Sequence, residues 1–185
     1  FFVKTPLILS FQFMTDHTFL QILENDSGLT DIPATHDWLK ENKKSIELKL
    51  EEHGAILFKD LPTETADDFD QFVSTFNYDT FTYEESLSNA VRINKTSKVF
   101  TANEAPREVE IFLHHEMAQT PTYPKNIFFF CKSASEAGGE TPLCRSDQLY
   151  EALLRADKTL VESFEKFGVI YNSIMSSGDE LISGQ

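Results

Sequence analysis

The chain has 185 residues, 41 % of them hydrophobic and 17 of them phenylalanine, which suits one domain with a buried core and excludes a disordered segment. With 16 Lys+Arg against 30 Asp+Glu the formal charge is −14, which argues against nucleic acid or an anionic membrane as partner. Two cysteines, Cys131 and Cys144, are too few for a disulfide framework and point to a reduced, cytoplasmic protein.

No apolar run is long enough to cross a bilayer. Residues 1–13 are apolar, but they lack a basic start and a small-residue cleavage site, so they make a poor signal peptide. The chain begins with Phe and its first methionine is Met14; the expectation is a true start at Met14 or a fragment at this end. Residues 15–35 carry turn formers (Asp26-Ser27-Gly28, Asp31, Pro33) and complete an irregular lead-in over 1–35. Residues 37–53 predict a helix, with Leu39, Ile46 and Leu50 on one side and Gly54 as its stop. The apolar run 55–58 predicts a buried strand. Phe69, Phe72, Val73 and Phe76 sit at i, i+3, i+4 and i+7, the pattern of one buried helix face. Thr65 is its expected cap, and Asp67 and Asp68 suit the positive end of the helix dipole.

Residues 77–110 are mixed and polar, with weak strand signals at 90–93 and 98–101. Residues 111–118 predict a strand, stopped by Pro121 and Pro124. Residues 126–132, apolar on both faces, predict a central strand. Gly138-Gly139 predicts a turn. Ser146 and Asp157 open two further helices, the second closed by Gly168, and 169–174 predict a last strand. Strands and helices that mix without regular βαβ alternation speak against a doubly wound fold.

The densest chemistry lies in Phe112-Leu113-His114-His115-Glu116-Met117. On a strand, side chains alternate, so His114 and Glu116 share a face and His115 points away. An imidazole beside a carboxylate supplies two of the three ligands of a facial 2-His-1-carboxylate iron site. The spacing alone is equally explained by a solvated or hydrogen-bonded histidine. A zinc-protease reading fails, because it needs a helix and a histidine where Gln119 stands. A nucleophilic Cys131 is weaker still, since it falls in the Phe-rich run and reads as an inert core thiol. Gly138-Gly139-Glu140-Thr141 is a turn followed by a strand start; its glycines could equally admit a ligand to the backbone, with the Thr141 hydroxyl aimed at it.

Taken jointly, residues 53–59, Phe100-Thr101-Ala102-Asn103-Glu104, residues 114–119 and residues 138–141 resemble the taurine dioxygenase-like (clavaminate synthase-like) branch of the iron(II)/2-oxoglutarate-dependent dioxygenases. The similarity covers roughly residues 36–185. It implies a mixed α+β fold, with a double-stranded β-helix (jelly-roll) core and flanking helices. It implies iron(II) held by His114 and Glu116, and 2-oxoglutarate as cosubstrate with a carboxylate hydrogen-bonded by Thr141. The reaction it implies is oxidation of a small molecule by O2. The family's second metal histidine and the arginine that clamps 2-oxoglutarate lie far toward its C-terminus. Here His17, His36 and His53 all precede the motif and suit structural or solvated roles, and no arginine follows Arg155. The expectation is therefore an incomplete jelly roll, with a fragment inactive on its own. The alternative is a non-catalytic binding module on a degenerate jelly roll.

Overall fold

The computed structural model describes residues 2–3 (as strand backbone), 19–80, 92–102, 104, 106, 109, 111–118, 123–134 and 136–172. It falls into two compact units, Phe1–Arg145 and Ser146–Gln185. The first unit runs β1 (Phe2–Val3), β2 (Gln21–Leu23), α1 (Ile32–His53), β3 (Ile56–Lys59), α2 (Ala66–Thr75) and β4 (Phe130–Cys131).

Helix α1 starts five residues before the predicted 37. Asp31 accepts the Ala34 N–H at 2.8 Å as its N-cap, and Pro33 sits in the first turn, where its missing N–H costs nothing. Thr35, Leu39 and Ile46 are buried along one face, and Leu50 packs against the same core. Gly54 ends the helix at φ 77°, a left-handed conformation that favours glycine, with its N–H donating to the Leu50 carbonyl at 2.8 Å. A Cβ there would also come within 3.1 Å of the Arg145 side chain. The chain then enters β3, where Ile56, Leu57 and Phe58 are all buried, as expected of a strand covered on both faces.

Helix α2 has the predicted cap. Thr65 accepts the Asp68 N–H at 3.1 Å, and the Asp68 carboxylate accepts the Thr65 N–H at 2.9 Å, a reciprocal capping box. Phe69, Phe72 and Phe76 form its buried face. Phe72 meets Phe58 edge-on at 5.3 Å, Phe69 stacks on Phe130 at 5.3 Å, and Phe76 meets Phe128 at 5.4 Å. Each such burial is worth about 1.5–3 kcal/mol, and together they bind α2 to β3 and to residues 128–131.

The sheet order is β2-β3-β1-β4 and every ladder is parallel. Gln21 pairs with Ile56 and Leu23 with Phe58, so β2–α1–β3 is a βαβ unit inside a sequence whose pattern spoke against regular βαβ alternation. It also puts a strand into the stretch expected to be irregular. The mixed helix-and-strand class holds; the described strands form a parallel sheet, which is not by itself the jelly-roll core that the resemblance implies.

Other expectations change too. Residues 111–115 take no regular structure and 116–118 form a turn, so the strand predicted at 111–118 is not there. Met117 adopts φ 58°, which a continuing strand does not permit. The strand predicted at 126–132 shrinks to β4, an edge of the described sheet rather than its centre. Of the weak strand signals, 90 and 91 lie outside the described residues, while Asn94 and Phe100 form an antiparallel bridge. Residues 169–172 are irregular, and 173–174 lie outside the described residues.

The second unit holds α3 (Ser146–Ala156) and α4 (Lys158–Phe167). Asp157 caps α4 by accepting the Leu160 N–H at 2.9 Å, and Gly168 closes it onto the Phe164 carbonyl at 2.8 Å. Tyr150 donates to Glu165 between the two helices. Among the described residues, no helix is long and apolar enough to cross a membrane.

Candidate metal centre

Residues 92–102 form a small antiparallel loop. The Thr101 N–H donates to the Ile93 carbonyl at 3.0 Å, the Ile93 N–H to Thr101 Oγ1 at 3.0 Å, and the Lys95 N–H to the Val99 carbonyl at 2.7 Å. Thr96 donates to Asp70, and Lys98 Nζ donates to Ser74 Oγ at 2.8 Å, which moors the loop to α2. Arg92 stands at its start. Its Nη1 donates to the carbonyls of Thr101, at 3.2 Å, and Ala102, and its guanidinium lies 5.8 Å from the Phe100 ring centre.

Residues 115–118 make a turn in which the Ala118 N–H donates to the His115 carbonyl at 3.3 Å. Met117 occupies its third position, in the left-handed region, with its side chain buried. The turn presents Glu116 to two of its neighbours. One is Arg92, whose Nη2 lies 3.2 Å from Glu116 Oε1. The other is His114, whose Nε2 lies 3.8 Å from Glu116 Oε2.

The His114 ring is oriented by its own backbone. Nδ1 lies 2.7 Å from the Phe112 carbonyl oxygen. That oxygen can only accept, so Nδ1 carries a hydrogen, and Nε2 is the ring nitrogen that faces Glu116. A backbone carbonyl holding the far nitrogen is the usual support for a metal-bound histidine. The residues predicted to hold iron are therefore brought together, although a turn does it and not a strand.

A neutral imidazole nitrogen and a carboxylate oxygen are ordinary donors to a divalent first-row metal. Two donors each about 2.1 Å from one ion stand roughly 3.0–3.4 Å apart at the usual angles of about 90–110°. The 3.8 Å between Nε2 and Oε2 is wider than that, so the donor types suit such an ion but the side chains would have to close on it. Among the described residues, no group of three or more His, Cys, Asp or Glu side chains is placed to hold a metal. His53 ends α1 with Nε2 3.8 Å from Glu52 Oε2, His36 lies in the first turns of α1, and His17 lies outside the described residues.

Gly138 and Gly139 have φ 70° and 77°, which explains glycine at both. Open space surrounds the position of a Cβ on Gly138, so backbone conformation and not close packing selects it. Thr141 is half-buried beyond this pair, and among the described residues no hydrogen bond joins it to His114 or Glu116. Cys131 is half-buried in β4 and Cys144 is exposed; both are free thiols. The residue that sequence reasoning missed is Arg92. An arginine 24 positions before its carboxylate, in a stretch with no clear period, carries no local signal that would mark it.

The family described as "Taurine catabolism dioxygenase TauD, TfdA family" matches residues 23–178. A clavaminate synthase-like protein of Arabidopsis thaliana is 34 % identical over 149 residues, which cover 80 % of this chain and 44 % of that protein. The dapdiamide synthesis protein DdaC of Enterobacter agglomerans is 29 % identical over 133 residues, 71 % of this chain and 39 % of that one. The chain thus spans about two fifths of the length of these relatives.

Proposed function

The chain belongs to the taurine catabolism dioxygenase TauD/TfdA family, and from that premise we propose that it carries the metal-binding segment of an iron(II)/2-oxoglutarate-dependent dioxygenase acting on a small molecule. The observation that carries this reading is the pair formed by His114 Nε2 and Glu116 Oε2, 3.8 Å apart, with Nδ1 held by the Phe112 carbonyl. In this reading His114 and Glu116 hold iron(II), and the Thr141 hydroxyl donates to a carboxylate of 2-oxoglutarate. The family's jelly roll is the scaffold proposed around them. Iron(II) with 2-oxoglutarate bound supplies the activation of O2 that oxidises a C–H bond of the substrate, while 2-oxoglutarate loses CO2 and becomes succinate.

The residues of this chain contribute binding and orientation. The Phe112 carbonyl accepts from Nδ1 and so orients the His114 ring with Nε2 toward Glu116. The turn at 115–118 fixes Glu116 beside it.

Succinate release tests this reading, in protein that also supplies the family's second metal histidine and its 2-oxoglutarate arginine. His114→Ala or Glu116→Ala is expected to abolish iron-dependent release, while His115→Ala retains most of it. Turnover that survives both ligand substitutions would overturn the assignment, and absence of iron-dependent release in the unsubstituted protein would favour a non-catalytic binding module.

A further inference from the structure

We propose that Arg145 is a positioning residue for the candidate cosubstrate segment: it pins residues 141–145 to the C-terminal end of α1 and thereby sets where the Thr141 hydroxyl stands. The inference rests on the reading that Thr141 donates to a carboxylate of 2-oxoglutarate. Between β4 and α3 the described residues form neither helix nor strand, so regular structure does not fix Thr141 in place. Thr141 makes no hydrogen bond among the described residues, which leaves its hydroxyl open to a carboxylate and its own place to be set from elsewhere.

Arg145 supplies the tie. Its Nη1 donates to the Glu52 carbonyl at 3.0 Å, across 93 positions of sequence. That carbonyl lies in the last turn of α1, where carbonyls lack intrahelical partners and the helix dipole presents its negative end. A guanidinium is favoured there both as donor and as cation. The stem of the same side chain lies over Gly54: a Cβ built there would stand 3.1 Å from Arg145 Cγ and 3.4 Å from Cδ. Glycine at 54 thus serves two ends. It takes the left-handed φ of 77° that stops α1, and it leaves room for Arg145 to cross the helix terminus. Leu39, Ile46 and Leu50 hold α1 in the core, so the tie has a fixed base. It reaches Thr141 through the chain. Thr141, Leu143 and Arg145 are half-buried, whereas Pro142 and Cys144 are exposed. Such alternation is that of an extended chain with one side turned inward, and Thr141 and Arg145 share that side. Pro142 adds stiffness, since its ring fixes its own φ and holds the residue before it to extended conformations.

The test measures 2-oxoglutarate affinity by calorimetry in the zinc(II)-loaded protein in which succinate release is assayed, with the zinc(II) affinity and urea midpoint of each variant alongside. Arg145→Met keeps most of the stem and loses the donor. It is expected to weaken 2-oxoglutarate binding about tenfold, within the roughly ten- to hundredfold that Thr141→Val itself costs, and to leave zinc(II) affinity within about twofold. Arg145→Lys, which can still donate to the Glu52 carbonyl, is expected to recover most of the loss. Arg145→Met combined with Thr141→Val is expected to bind as weakly as Thr141→Val alone, because a residue that acts through Thr141 then has nothing left to position. A merely structural role would instead give independent losses that multiply. Unchanged 2-oxoglutarate affinity in Arg145→Met, an equal fall in zinc(II) affinity, or losses that multiply overturns the proposal. If Arg145→Met does not fold, Arg145→Gln takes its place in the cycle, with the same outcomes. If the unsubstituted protein does not bind 2-oxoglutarate, or Thr141→Val binds it unchanged, the reading of Thr141 falls and the proposal with it; if Thr141→Val weakens binding and Arg145→Met does not, only the role of Arg145 falls.

Discussion

Phe72 on α2 is 1 % exposed and Phe112, two residues before His114, is 72 % exposed, and the contrast extends to the segments around them. From α1 through β3 to α2 the backbone is held by burial. Leu39, Ile46, Ile56, Phe58, Phe69, Phe72 and Phe76 form one cluster, and caps at Asp31, Gly54 and Thr65 close the helix ends. Residues 111–118 have almost none of this. Ile111, Phe112 and Leu113 face solvent, and polar contacts hold the segment: Nδ1 of His114 on the Phe112 carbonyl, Arg92 on Glu116, and the turn closed by His115 and Ala118. The first region is a frame whose geometry follows from apolar area. The second is a site whose geometry follows from a few directed contacts, with buried Met117 as its apolar anchor. The frame should therefore respond to substitution in stability and the site in binding.

The largest test of that division is Phe72→Ala, expected to destabilise the chain by about 3–5 kcal/mol in urea unfolding, against about 0.5 kcal/mol or less for Phe112→Ala. Similar losses for the two would erase the distinction. On the site side, Thr141→Val is expected to leave the unfolding midpoint nearly unchanged while weakening 2-oxoglutarate binding about ten- to a hundredfold, the loss of one hydrogen bond to a charged carboxylate worth about 1.5–3 kcal/mol. A calorimetric titration with unaltered affinity would remove Thr141 from the site. Back in the frame, Thr65→Ala removes the hydroxyl half of the capping box and is expected to cost about 1 kcal/mol by thermal melting. No loss would mean that packing of the Phe face alone sustains α2.

The smallest effect concerns Tyr78. Burial pushes its hydroxyl up to about 12, helped by the Glu47 carboxylate that accepts its hydrogen bond at 2.7 Å. The value in the folded chain lies above the ordinary 10.0. Its contribution to stability is therefore present in full below about pH 10 and is lost as the pH rises through about 12. Unfolding midpoints at about pH 9 and about pH 11.5 should fall less steeply in Tyr78→Phe than in the unsubstituted chain. An identical fall in both would show that Tyr78 titrates alike in the folded and unfolded states.

The same division explains what could be read from residue order. The Phe period of α2, its Thr65 cap, the buried run of β3 and the stop at Gly54 are local signals reinforced by burial, and the structure keeps them all. The first turn of α1 was hidden because Asp31 and Pro33 serve turns and helix starts equally well. The parallel sheet was hidden because β1 and β4 are two residues each and pair across more than a hundred positions. At the site, His114 and Glu116 were legible as neighbouring side chains, yet alternation along a strand was the wrong reason. With no apolar face to bury, the turn at Met117 and the hydrogen bond from His114 to the Phe112 carbonyl decide the geometry. Arg92 was illegible because only folding brings it to Glu116.

The central claim, that His114 and Glu116 share one metal ion through Nε2 and Oε2, is tested most directly by long-range 1H–15N spectra of the histidine rings during titration with zinc(II), a diamagnetic stand-in for iron(II). Before metal is added, His114 is expected with its proton on Nδ1. On addition its Nε2 resonance should shift with saturation, in the unsubstituted chain and in His115→Ala, and stay in place in Glu116→Ala. A His114 ring that carries its proton on Nε2 and ignores the metal, or one that responds equally without Glu116, would contradict the account.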